Sequence, residues 1–253
     1  MNLKTIPPLL VLASLGASVQ AAVLADFDGN GSFTDAAFKS APIGTVVQGG
    51  PTGNYYSLLN NIGDAGNHIA FPATGTSGWQ AATLSMDIRA ADVQADGFGI
   101  AFVDVATHGA DLVRSGAGGL GDAEERALYA NSVGVGFRTF NGTNATVNYN
   151  GAQSPDAAYQ LPQGEWIPVE ISMVRDGAGA AISASINGES VFSDYALAGA
   201  PDDFRVQIAG RTGGSAMSLD IDNVNLTTSA IPEPTAALLG FVGLLGLAAR
   251  RRR

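Results

Sequence analysis

The chain has 253 residues, a formal charge of −10 from 13 Lys and Arg against 23 Asp and Glu, and no cysteine. The acidic balance opposes nucleic acid and anionic lipid as partners. The missing thiols exclude disulfides, cysteine nucleophiles, thiolate zinc sites and iron–sulfur clusters.

Residues 1–21 read as a secretory signal peptide. Lys4 is its only charge, an apolar stretch runs from Leu9 to Leu15, and Val19-Gln20-Ala21 is a small-residue site with cleavage after Ala21, Ala22 being the alternative. The body that follows, residues 22–228, is long enough for one domain with a real core. Asp26, Asp28 and Asn30 cluster near its start, and Asp220 and Asp222 near its end. First and last strands of a sandwich often neighbour each other, so Asp26, Asp28 and Asp222 are a candidate structural calcium site. A solvated face with turn-capping carboxylates accounts for them as well, and no distal glutamate completes a calcium loop.

Alternation marks the strands. Leu84, Met86 and Ile88 share one face of residues 83–89, and Ile167, Val169, Ile171 and Met173 share one face of residues 166–174. Residues 97–103 are small or apolar on both faces, which suits a central strand. Further strands are expected at 23–28, 55–59, 68–71, 133–140, 145–149, 181–186, 205–209 and 218–226. Asp176-Gly177 and Asn187-Gly188 are turn signals, the second that of a hairpin. Residues 122–131 alone look helical, for one or two turns. Residues 29–54 and 104–130 read as long loops, where binding residues usually sit. Many short strands divided by Gly-rich turns predict an all-β, two-sheet β-sandwich or jelly roll.

The run Ala95-Asp96-Gly97-Phe98-Gly99-Ile100-Ala101-Phe102 resembles the Ala-Asp-Gly-x-Ala-Phe signature of L-type (legume-like) lectins, in the concanavalin A-like lectin/glucanase superfamily. Gly118-Gly119-Leu120-Gly121 is similar to that family's Gly-rich loop. Val133-Gly134-Val135-Gly136-Phe137-Arg138-Thr139-Phe140 is similar to its strand Val-Ala-Val-Glu-Phe-Asp-Thr-Phe. The resemblance implies a concanavalin A-like sandwich, a carbohydrate-binding Asp96 that takes two vicinal hydroxyls, a further bond from the Gly119 amide, and a cis peptide at Ala95-Asp96. A carboxylate's two oxygens match a diol's two donors, and hydrogen bonds to a charged group contribute about 1.5–3 kcal/mol each. Asp96-Gly97 also reads as no more than the turn entering a core strand. Trp79, in a Gly/Ser/Thr-rich stretch, is the candidate for stacking on a sugar face, although a core or edge place is the ordinary reading of Trp79 and Trp166.

The family's Mn/Ca pair is held by the Glu and Asp of that strand, and here those positions are Gly136 and Arg138. Neither ligates a hard divalent ion, so the family's metal function does not carry over. Arg138 is instead expected to pair with Asp96 or Asp104. Nor does a catalytic pattern stand out. The superfamily's Glu-x-Asp-x-x-Glu run is absent, Glu165 and Glu170 fall on opposite faces, Glu124-Glu125 read as a solvated pair, and His68 and His108 belong to no triad. The body is therefore expected not to be an enzyme.

Pro232-Glu233-Pro234 leads into an apolar run over residues 235–249, closed by Arg250, Arg251 and two more arginines. Such a terminus resists crossing a membrane. About 15 residues make roughly 22 Å of helix against about 30 Å of hydrocarbon, which suits a transient transmembrane helix. The layout of residues 231–253 resembles the PEP-CTERM sorting signal of Gram-negative bacteria. That resemblance implies export through the inner membrane, processing near Pro-Glu-Pro by an exosortase-type peptidase, and residence at the cell envelope or in extracellular matrix. An ordinary tail anchor is the alternative. Lys4 and the terminal arginines are five of the 13 basic residues and Glu233 one of the 23 acidic ones, so the body keeps 8 and 22, or −14. The whole reads as an exported, non-enzymatic lectin-like protein that binds polysaccharide or another glycan. The rival is a structural matrix or surface protein whose sandwich is a spacer with no sugar site.

Overall fold

The computed structural model describes residues 18–39, 42–73, 78–113 and 123–230. Gly119, Pro232, Glu233, Pro234, Arg250 and Arg251 lie outside them, as does the expected signal peptide up to residue 17. The elements in chain order begin with β1 (Ser18–Ala25), β2 (Thr34–Ala37), β3 (Thr45–Gln48), β4 (Asn54–Asn60), β5 (Gly66–Ala70), β6 (Trp79–Ala91) and β7 (Gly97–Asp104). Two single-turn helices follow, α1 (Val105–His108) and α2 (Ala123–Arg126), then β8 (Val133–Arg138), β9 (Asn144–Tyr149), β10 (Ala152–Gln153) and β11 (Ala157–Ala158). The series closes with β12 (Trp166–Asp176), β13 (Gly179–Ile186), β14 (Glu189–Leu197), β15 (Phe204–Arg211) and β16 (Ser218–Ala230).

These strands form two antiparallel sheets. The first runs β14-β13-β12-β6-β16-β4-β3, with β1 also on β16; the second runs β10-β9-β8-β7-β15-β5-β2, with β11 also on β9. The alternation read from the sequence is what joins them. Leu84, Met86 and Ile88 of β6 and Val169, Ile171 and Met173 of β12 share one core with Phe98, Ile100 and Phe102 of β7 and Val133, Val135 and Phe137 of β8. Phe98 stacks on Phe137 at 4.9 Å, and Phe204 meets Phe102 edge-on at 5.2 Å. Each such side chain taken from water contributes about 1.5–3 kcal/mol. As expected, β7 is buried on both faces in mid-sheet, and the first and last strands are neighbours.

Several elements differ from the sequence reading. Residues 29–54 are not one loop but contain β2, half-exposed, and β3, exposed at all four residues, so neither shows a buried-face period. β14 was legible only through the hairpin signal before it, where Asn187 and Gly188 have φ of 52° and 76°. β1 starts at Ser18, ahead of the expected cleavage point, and its exposed start includes Ala21; core burial begins at Leu24.

The outward face of the second sheet is covered rather than solvated. Ala101 and Val103 of β7 pack with Val113, Ala127 and Tyr129 in a second apolar cluster, and α2 lies across β7, β8 and β15. Small residues permit this approach: Gly134 pairs with Ala101 and Gly136 with Gly99. A Cβ at Gly136 would stand 2.5 Å from the Arg126 Cα and 2.6 Å from the Glu125 carbonyl oxygen. At Gly136 backbone occupies the room that a side chain would need. Gly136→Ala is expected to lower stability by about 1–3 kcal/mol through overpacking; a urea melt with an unchanged midpoint would refute this contact.

Candidate functional site

The site at the start of β7 is organised by β15. Phe204, Val206 and Ile208 of that strand enter the core, so Arg205, Gln207, Ala209 and Arg211 face outward beneath the cover. The Gln207 amide pairs with the Val113 backbone, accepting from its N–H at 3.0 Å and donating to its carbonyl at 2.8 Å. Gln207 Nε2 also lies 2.9 Å from the Tyr129 hydroxyl and 3.0 Å from His68 Nδ1. Arg205 is fully buried, donating to the Gly109 carbonyl at 3.1 Å and to Gln207 Oε1 at 3.2 Å. Burial lowers its pKa, against the pull of Tyr129 and Asp111.

At the end of this row Arg211 reaches two carboxylates from separate elements. Its Nε is 2.8 Å from Asp96 Oδ2 and 2.7 Å from Glu125 Oε2. The side chain of Asp96 is 18% exposed. Its carbonyl accepts from the Thr139 N–H at 3.0 Å, and the Thr139 hydroxyl donates to the Ala95 carbonyl. Gly213 lies alongside, where a Cβ would sit 3.0 Å from Asp96 Oδ1.

Several expectations change on this geometry. One oxygen of Asp96 is held by a guanidinium, so the carboxylate does not offer both oxygens freely to a diol. Its partner is Arg211 and not Arg138, which sits 3.7 Å from Asp156. No peptide bond among the described residues is cis, so Ala95–Asp96 is trans. Glu125 is not solvated: α2, part of the cover, holds it buried against the sheet. Trp79 is 1% exposed, donates its indole N–H to the Pro201 carbonyl at 3.0 Å and meets Phe204 edge-on. It is a core residue and has no face for a sugar. His108 anchors the far end of the cover, with Nε2 2.8 Å from the Ala130 carbonyl oxygen.

The calcium reading of Asp26, Asp28 and Asp222 is also corrected. Among the described residues no three His, Cys, Asp or Glu side chains converge as a metal-ligand set. Asp26 accepts from the N–H groups of Asp28 and Asn30 and from the Asn30 amide, and the Asn30 side chain leads in lowering its pKa. Asp28 accepts from the Asn54 N–H at 2.8 Å. Asp222 accepts from the Asn223 N–H at 2.8 Å and the Thr52 hydroxyl at 3.3 Å. Asp28 and Asp222 thus hold the turn before β4 through separate bonds. These are turn caps.

No family model matches the sequence, and no curated protein matches it. Solved structures do resemble it. The metal-free VIP36 exoplasmic/lumenal domain superposes with TM-score 0.56 at 10% identity, over 84% of this chain and 92% of that one. The metal-free lectin I-B4 of Griffonia simplicifolia gives 0.53 at 13%, over 85% and 100%. Peanut lectin with a 9-mer peptide gives 0.51 at 14%, over 79% and 99%. The body is a lectin-type β-sandwich. At these identities the likeness concerns the fold, and within that fold the lectin-like sandwich carries its own arginine between Asp96 and Glu125.

Arg211 and Glu125 were missed in the sequence. Residues 205, 207 and 211 do share one period-two face, interrupted by Ala209, but such a face ordinarily means solvent, and nothing local says that it is covered.

Asp222 yields a test of pH dependence. It is fully buried, and loss of hydration, with Asp87 opposite it on β6, raises its pKa. A carboxyl whose folded pKa lies above the ordinary value contributes stability at pH below that value, and loses it as pH climbs through the raised one. Asp222→Asn is therefore expected to melt at a higher temperature than wild type at pH 7, with the gap closing as pH falls to the ordinary carboxylate range. A gap that widens on acidification would contradict the assignment.

Proposed function

We propose that this chain is an exported, non-enzymatic, lectin-like protein that binds glycan at the cell envelope or in extracellular polysaccharide. Recognition uses the Asp96–Arg211 pair at the rim of the second sheet. The observation that carries this is the juxtaposition of an acceptor and a donor beside Gly213, in a fold shared with lectins. The free Asp96 oxygen accepts from one sugar hydroxyl while the guanidinium donates to its neighbour, a mixed pair in place of two carboxylate oxygens. Export rests on the N-terminal segment ending at Ala21. Sorting rests on Pro232-Glu233-Pro234 with its apolar run and terminal arginines, read by an exosortase-type peptidase. No resident metal is assigned to the reading.

An enzymatic reading fares poorly on the same geometry. Asp96 and Glu125 contact one arginine nitrogen, so the guanidinium fills the space between them that a glycosidic bond would need.

A second reading has its own support. An Asp–Arg–Glu cluster that ties the cover to β7 is what a structural spacer needs, and such a spacer requires no ligand. A glycan array separates the two. Asp96→Ala is expected to weaken the strongest interaction about tenfold or more, the size of one lost charge-assisted hydrogen bond. Full binding by Asp96→Ala would remove the rim from the account, and an array with no ligand would favour the spacer.

A further inference from the structure

We propose that the outward face of the first sheet carries a second carbohydrate-contact site, a groove centred on Glu170. It rests on the reading that this protein binds glycan, but it uses the other sheet and no residue of the Asp96 rim. The groove is about 110 Å³ and spans β12, β13 and β14. Glu170, Ser172, Ser183, Ser185 and Ser190 line it, with Phe192 as an apolar element.

The register explains the arrangement. Glu170 pairs directly with Ser185 on β13 and with Ser85 on β6; two residues on, Ser172 pairs with Ser183 and Thr83. Directly opposed side chains on one face have Cβ atoms about 4.5–5.5 Å apart. Glu170 is therefore set within a lattice of hydroxyls. Ser183 is bonded to Asp194, and Ser190 to Ser193. Among the described residues the side chains of Glu170, Ser172 and Ser185 have no hydrogen-bond or ion-pair partner, which leaves them to a ligand.

The chemistry selects the ligand. Among the described residues no cation lines the groove, and the chain is acidic, so an anion is repelled. Among the described residues no three metal-ligating side chains cluster, so a bare divalent cation is poorly served. A neutral polyhydroxyl compound fits every group present. Two vicinal hydroxyls donate to Glu170, and others exchange hydrogen bonds with Ser172 and Ser185. A free monosaccharide and a polysaccharide chain share this chemistry, and ligand length distinguishes them.

The test uses the full chain in a non-glycosidic detergent, with neutral gluco-, manno- and galacto-oligosaccharides of one to six units as probes. Affinity is read by calorimetry, and the contact by hydrogen exchange with and without sugar. Sugar is expected to slow exchange in β12–β14, and Glu170→Ala is expected to weaken that interaction about tenfold. Ser185→Phe, which fills the groove and leaves the carboxylate in place, is expected to do the same. Affinity that grows with length identifies a chain as the ligand, and equal affinity at one unit identifies the free sugar. Sugar-dependent protection confined to residues 96–98 and 211–213, with both variants binding as wild type, would overturn the groove while leaving the proposed function standing. Wild type that binds none of the probes would end both.

Discussion

One guanidinium, that of Arg211, sits between a carboxylate that opens a core strand and a carboxylate carried by the segment lying over that strand. Asp96 and Glu125 are 29 residues apart in sequence and belong to different layers, so joining them fixes the register of the cover on the sheet. Half-buried charge is costly when unpaired. The pairing therefore acts as a constraint: neither acid can move without exposing or orphaning the other partners. The same strand repeats the device twice more, with Gln207 gripping the Val113 backbone and Arg205 the Gly109 carbonyl. β15 is a spine whose inner face holds the core and whose outer face holds the cover.

This arrangement connects Gly136 of β8 with the pairing at Asp96. Gly136 admits the backbone of α2, and α2 supplies Glu125 to Arg211. The fixed positive charge next to Asp96 comes from the chain itself. An aspartate held by arginine presents a donor and an acceptor together, which under the proposed function suits a ligand that can supply both. The hydroxyl-lined groove on the opposite sheet has no such internal partner for its carboxylate. The two faces therefore differ in kind, one rigid and internally paired, the other open and unpaired.

The framework was legible because alternation is a local signal with a global cause. Leu84, Met86 and Ile88, or Phe98, Ile100 and Phe102, each declare an inward face, and a two-sheet sandwich is the way to bury so many short amphipathic strands. Asp96 was legible as a special position from the residues around it. Its partner was not, since an ion pair between residues 96 and 211 leaves no trace in either neighbourhood. Trp79 misled for a related reason: its Gly, Ser and Thr neighbours suggest an exposed loop, but the ring begins a strand and closes the core against Phe204. The Asp26, Asp28 and Asp222 carboxylates looked like ligands because turn caps and calcium loops draw on the same short oxygen-bearing residues. What separates the two is convergence: these carboxylates accept from separate N–H and hydroxyl donors, and among the described residues no three meet.

The role of Arg211 as the link between sheet and cover is tested most directly by hydrogen exchange on Arg211→Met, a side chain of similar length without the charge. The account predicts faster exchange in residues 123–129 and at the start of β7, while β6 and β12 in the other sheet keep their protection. Unchanged protection of residues 123–129 in that variant would contradict it.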